Sequence, residues 1–163
     1  MSALTPINMA NFDLNRYTGK WYQFAATPMW YEPNGAHSIS ATYTLRQDGA
    51  LDVFNELKYF GKSKSVEGIA IPTDKSNELR VVFKNNLFSI LSSLNFKPNY
   101  VIDGILGNYE VAIVGSPHRQ YCYILTRKQN LTCEEQERVK KFIKKLGYKW
   151  DTLRFTPNIC DLK

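Results

Sequence analysis

The feature that most constrains this chain is a hydrophobic period of two, repeated in eight short segments near 20–28, 38–46, 50–59, 64–71, 78–85, 99–106, 109–115 and 120–127. A period of two sends alternate side chains to opposite faces, so each segment reads as a half-buried strand. Turn chemistry separates them. Asp48-Gly49 joins the second and third segments, Gly107-Asn108 reads as a two-residue hairpin turn between the sixth and seventh, and residues 72–77 form a polar loop between the fourth and fifth. An aromatic content of 13% supports pleated sheet over a helical bundle.

The period changes after the eighth segment. Thr132 is placed to cap a helix, with Glu135 three residues on to complete a capping box. Val139, Phe142, Ile143 and Leu146 then form one apolar stripe, and Gly147 marks the stop. A helix over about 133–146 and a short extended tail over about 151–156 are expected. Consecutive hairpins and one amphipathic helix predict an all-β fold: an eight-stranded antiparallel up-and-down barrel over about 19–128, with the helix packed outside. Closure removes the sheet edges that would otherwise recruit other chains. A β-sandwich is the alternative, and its long crossing connections fit the hairpins less well. The 163 residues show no repeat or linker and read as a single domain, 1–163.

Composition narrows the function classes. No apolar run approaches the roughly 20 residues that span a bilayer as a helix. The net charge is +6, and Lys140, Lys141, Lys144 and Lys145 cluster on the helix, where they read as a solvated face. Nucleic-acid binding would need a basic stripe with stacking aromatics on an open sheet face, which a closed barrel lacks. With two histidines and three cysteines at no zinc spacing, neither a metal nor another cofactor is expected. Cys133 and Cys160 are the better candidates for a disulfide, against three free thiols. The N-terminus has no basic start and no apolar stretch, which leaves two compartments open: cytoplasmic, or exported if a signal was removed. Asn130-Leu131-Thr132 is a glycosylation sequon that matters only in a eukaryotic secretory route.

Three stretches add a resemblance. Residues 11–22, with Gly-x-Trp at Gly19–Trp21, look like the opening of a lipocalin; residues 109–115, beginning at Tyr109, and residues 121–127, ending in Arg127, resemble the family's second and third conserved regions. Order, separation and the C-terminal helix agree over about 11–157, and the likeness is greatest to bacterial lipocalins and apolipoprotein D-like members. One departure is Leu106, before the Gly107-Asn108 turn, where the family commonly has Thr-Asp-Tyr. The resemblance implies that Trp21 plugs the closed end and that Arg127 lies over its indole while tying down carbonyls of residues 11–18. Gly19 would let the backbone pass close by. These roles are structural.

If Trp21 and Arg127 fix the phase, the first strand turns Gln23 and Ala25 inward, and the eighth turns Tyr121, Tyr123 and Leu125 inward. The family's register extends the lining to Ile39, Ala41 and Tyr43; Val53 and Asn55; Val66 and Gly68; Leu79, Val81 and Phe83; Tyr100, Ile102 and Gly104; and Val111 and Ile113. This is a mostly apolar wall with a few amides and hydroxyls, suited to a lipid-like molecule, or else a packed interior. The mouth loops would bring Trp30 and Tyr31 together with Lys62, Lys64 and Arg119, where the head of an amphipathic anion such as a fatty acid or lysophospholipid fits. Residues 86–96 are apolar where a mouth loop is usually polar, which suggests a lid, a membrane-surface contact or satellite core.

The expected function is therefore binding, transport or storage of a small hydrophobic or amphipathic ligand by a monomer or weak dimer. The alternative is a membrane-surface or protein interaction module using the 86–96 loop. A lipocalin-type enzyme ranks lower, since no nucleophile stands beside a base: Cys122 falls on the outward phase, and His37 and His118 lie in loops.

Overall fold

The computed structural model describes residues 4–29, 35–84, 97–155 and 160. Eight antiparallel strands follow one another: β1 (Gly19–Ala26), β2 (His37–Leu45), β3 (Leu51–Tyr59), β4 (Lys62–Pro72), β5 (Glu78–Phe83), β6 (Tyr100–Leu106), β7 (Val111–Gly115) and β8 (Cys122–Thr126). Each pairs with the next, and β1 pairs with both β8 and β2, which closes the barrel. A ninth strand, β9 (Arg154–Phe155), adds to the distal part of β1. The expected tail thus begins with a 3₁₀ turn at Trp150–Thr152, and its residue 156 lies outside the described residues.

The connection between β6 and β7 differs from expectation. Four residues, 107–110, lie between the strands, and Glu110 N–H donates to the Leu106 carbonyl (3.1 Å). Gly107 and Tyr109 both have positive φ, +66° and +55°, so two left-handed residues make the reversal. The weakest ladder, β5–β6, pairs at only two positions. Asn99 extends it with its side chain, accepting from Val81 N–H (2.7 Å) and donating to the Val81 carbonyl (3.0 Å).

The C-terminal helix, α2 (Cys133–Lys145), starts at Thr132, whose hydroxyl accepts from Glu135 N–H (3.1 Å). The Glu135 carboxylate accepts from Lys128 Nζ (2.6 Å), a pairing not anticipated for the expected capping box. The helix ends in a Schellman pattern: Gly147 (φ +95°) donates to Lys144, and Tyr148 to Ile143. Val139 and Ile143 are buried in a cluster with Phe24, Ile113, Cys122 and Ile124 on the barrel's outer face. Cys133 is bonded to Cys160, and the Cys160 amide donates to Gln136 Oε1 (2.9 Å), which ties the tail to the helix.

The lead-in to the barrel was not anticipated from sequence. Pro6 bridges Leu106, Ile7 N–H donates to the Ile105 carbonyl, and a 3₁₀ turn at Met9–Asn11 precedes α1 (Leu14–Tyr17). These turns close one end of the barrel. Asp13 caps α1 through Asn15 N–H (2.9 Å).

Candidate ligand-binding site

The closed end is built around Trp21, which is fully buried and donates from Nε1 to the Tyr17 carbonyl (2.8 Å). The Arg127 guanidinium lies 3.7 Å from the Trp21 ring centroid. Its Nη2 donates to the Arg16 and Thr18 carbonyls (both 2.9 Å), its Nη1 to Lys20 (3.0 Å) and its Nε to Tyr109 (3.2 Å). One planar fork thus ties together α1, β1 and the β6–β7 turn. Burial pulls the Arg127 pKa below its ordinary value. Gly19, at φ +100°, sits where an added Cβ would come 3.1 Å from Arg127 Nη1. Tyr109 stacks on Phe12, and its hydroxyl accepts from Asp13 N–H (2.9 Å). Arg16 lies 4.3 Å over the Tyr109 ring and donates to Asn108 Oδ1.

Above this floor, the registers decide which side chains face the cup. Trp21 opposes Ala41, Ala41 opposes Asn55, and Asn55 opposes Val66; Tyr43, Val53, Gly68 and Phe83 form the next row, and Ala70 opposes Val81. Directly opposed residues share a face, so these all point inward. Ile39, Tyr100, Ile102, Tyr121 and Tyr123 also lie on the inner phase. Four expected lining residues lie on the other face. Ala25 opposes Ile124, because a bulge between Gln23 and Ala25 inverts the strand; Ala26 faces inward in its place. Val111 and Ile113 pack beneath α2, and Ala112 and Val114 take the inner positions. A second bulge between Ile102 and Gly104 likewise turns Gly104 outward, where an added Cβ would stand 2.4 Å from the Phe142 ring.

The inward residues divide by depth. Leu51, Val53, Ala70, Leu79 and Ile102 are buried near the closed end, whereas Ile39, Ala41, Asn55, Val66, Val81, Phe83, Tyr121 and Tyr123 are only partly buried. Side chains turned to the inside of a closed sheet meet solvent chiefly through its open end, so the mouth half reads as a cup over a packed floor. Between the two lie three tyrosines. Tyr100 hydroxyl bonds to those of Tyr17 (2.5 Å) and Tyr43 (2.9 Å). Burial raises all three pKa values, Tyr43 to about 12, so the hydroxyls stay neutral. Tyr17 carried no role in the sequence reading, although it sits four residues before Trp21.

At the rim, Lys62 and Lys64 are exposed, and Lys64 Nζ lies 5.9 Å from the Tyr59 ring centroid. Arg119 departs from its expected place: its guanidinium lies 6.0 Å from the Tyr148 ring, near the helix terminus and Asp103. Asp103 accepts from Tyr148 hydroxyl, and burial raises its pKa. Trp30, Tyr31 and the 86–96 loop lie outside the described residues. Cys122 is buried beneath α2, and burial pushes its thiol up to about 12, far from a reactive thiolate. Among the described residues no group of three His, Cys, Asp or Glu could hold a metal, and no helix is long and apolar enough to cross a membrane.

A closed eight-stranded barrel with a floor sealed by Trp21 and Arg127 and one flanking helix is the lipocalin architecture. The chain belongs to the lipocalin family: residues 12–158 match the lipocalin-like domain. It is 33% identical over 149 residues to temperature-induced lipocalin-1 of Arabidopsis thaliana, covering 89% of this chain and 78% of that protein. It is 30% identical to the outer membrane lipoprotein Blc of Escherichia coli K12 (85% and 75% covered) and 28% identical to apolipoprotein D of Macaca fascicularis (85% and 73%). Among solved structures, the cockroach allergen Per a 4 shares the fold with a TM-score of 0.68 at 15% identity, covering 96% of this chain and 91% of that one. Family members generally bind small hydrophobic ligands.

Proposed function

We propose that this lipocalin binds and carries a small hydrophobic or amphipathic lipid in the mouth half of its barrel, without catalysis. The observation that carries the reading is the partly buried apolar wall, Ile39, Ala41, Val66, Val81 and Phe83, above a floor sealed by Trp21 and Arg127. An apolar wall with sparse polar groups favours an alkyl chain and orients it. Lys62 and Lys64 at the rim suit the head of an anionic lipid such as a fatty acid or lysophospholipid. The relative named as an outer membrane lipoprotein supports an exported location.

Native mass spectrometry of protein purified from its own source, without delipidation, tests this. One lipid-sized adduct per chain is expected, displaced in solution by a fluorescent fatty acid. A bare chain that also fails to bind the fatty acid saturably contradicts the carrier role.

A further inference from the structure

The hairpin between β3 and β4 carries a side chain that folding does not explain. Its two turn residues, Phe60 and Gly61, both have positive φ, +46° and +74°. Asn-Gly is the usual pair at such a turn, and a bulky side chain there is strained. Tyr109, the other aromatic residue with positive φ, is buried, stacks on Phe12 and accepts from Asp13 N–H. Phe60 instead is 82% exposed. Its one ring contact among the described residues is with Tyr59, edge-on at 4.5 Å between centroids. Strain without burial in return points to a role outside the fold.

The surroundings indicate what covers the ring. β3 and β4 pair without interruption from Leu51–Ala70 to Tyr59–Lys62, whereas the β4–β5 ladder reaches no further than Gly68–Phe83. The tip therefore projects at the mouth end, opposite the floor of Trp21 and Arg127. Lys58, Lys62 and Lys64 are exposed around it, Lys62 and Lys64 on the inner phase of the hairpin and Lys58 on the outer. No acidic residue lies between Glu56 and Glu67. An aromatic tip flanked by cations on both faces complements an anionic bilayer, where rings settle at the interface and ammonium groups meet phosphates.

We infer that the β3–β4 tip docks the protein on an anionic lipid bilayer, with Phe60 at the interface and Lys58, Lys62 and Lys64 on the headgroups. The contact is small, so docking is weak and reversible. It turns the mouth of the barrel toward the bilayer, an orientation whose use in lipid uptake rests on the carrier role proposed above.

Cosedimentation of the full-length protein with vesicles tests this, using phosphatidylcholine alone and equal parts of phosphatidylcholine and phosphatidylglycerol. Native protein should bind the mixed vesicles at least about tenfold more tightly than the neutral ones, and high salt should erase the preference. Phe60→Asn should weaken binding to mixed vesicles about tenfold while keeping or raising Tm, since Asn suits a left-handed turn. Phe60→Trp should stay within about twofold of native protein. Lys58→Gln should lose about fivefold. Equal vesicle binding by native protein and Phe60→Asn, or no preference for the anionic vesicles, overturns the assignment. So does a native chain that leaves vesicles unbound but forms a dimer in sedimentation that Phe60→Asn abolishes. A fluorescent fatty acid added without vesicles should bind native protein and Phe60→Asn alike. Its failure to bind native protein would count against the carrier role, while vesicle binding alone decides the docking surface.

Discussion

Replacing Arg127 by Met tests whether a single side chain holds the closed end. The guanidinium makes a cation–π contact with Trp21 at 3.7 Å and donates to the carbonyls of Arg16, Thr18, Lys20 and Tyr109. These contacts do not weigh equally. The bonds to Arg16 and Lys20 are exposed, and water can replace them in the variant. The bonds to Thr18 and Tyr109 are partly buried, and losing each costs about 1 kcal/mol. The cation–π contact adds about 1 kcal/mol. The sum is about 3 kcal/mol, or a fall of roughly 6–12 °C in Tm for a chain of this size. Arg127→Lys keeps the charge but cannot span several carbonyls, so it should recover less than half of that loss. Urea unfolding followed by tryptophan fluorescence measures both variants. A loss below about 0.5 kcal/mol in Arg127→Met, or full recovery in Arg127→Lys, would refute the view that the planar fork fastens the barrel floor.

Other consequences are separable. Gly104→Ala should cost about 1–3 kcal/mol, because its Cβ meets Phe142, while lipid affinity stays unchanged, since the position faces the helix. Cys133→Ser should cost about 3–4 kcal/mol on chain-entropy grounds for a 27-residue separation, measurable by denaturant unfolding under oxidising conditions. Burial raises the folded pKa of Tyr43 from 10.0 to about 12 and raises those of Tyr17 and Tyr100. Raised folded values mean that their contribution is complete below pH 10 and is lost as pH climbs toward 12, so tyrosinate absorbance from these rings should appear only with unfolding. Burial also raises the Asp103 pKa, so its ionised form opposes folding at neutral pH; Asp103→Asn should raise Tm at pH 7, and the gap should close as pH falls.

The strands and the helix were legible because each is half-buried, and one-sided burial imprints a period on the sequence. The faces were less legible where that condition fails. Val111–Gly115 is buried on both sides, between cup and helix, so its apolar run carries no alternation from which to read phase. Ala25 was misplaced by a bulge, for which Phe24-Ala25-Ala26 gives no turn residue. Gly104 is different: a glycine inside a strand is a bulge signal, and reading it so would have placed it outward. Arg119 follows a turn with no period, and only tertiary contacts with Tyr148 and the helix end decide its direction. The tyrosine cluster is half legible: the expected register turns Tyr43 and Tyr100 inward, but Tyr17 comes from a short helix whose four residues leave no amphipathic pattern.

The most direct measurement of the central claim is lipid binding by a chain whose cup has been filled. Ala41 faces inward, opposite Asn55 and partly buried, whereas its neighbour Thr42 opposes Phe54 on the outer face. Titration of a fluorescent fatty acid should show one saturable site in the native protein and in Thr42→Trp, and loss of at least tenfold in affinity in Ala41→Trp. Binding that is equal in Ala41→Trp and the native protein would place the lipid outside the barrel and contradict the carrier role.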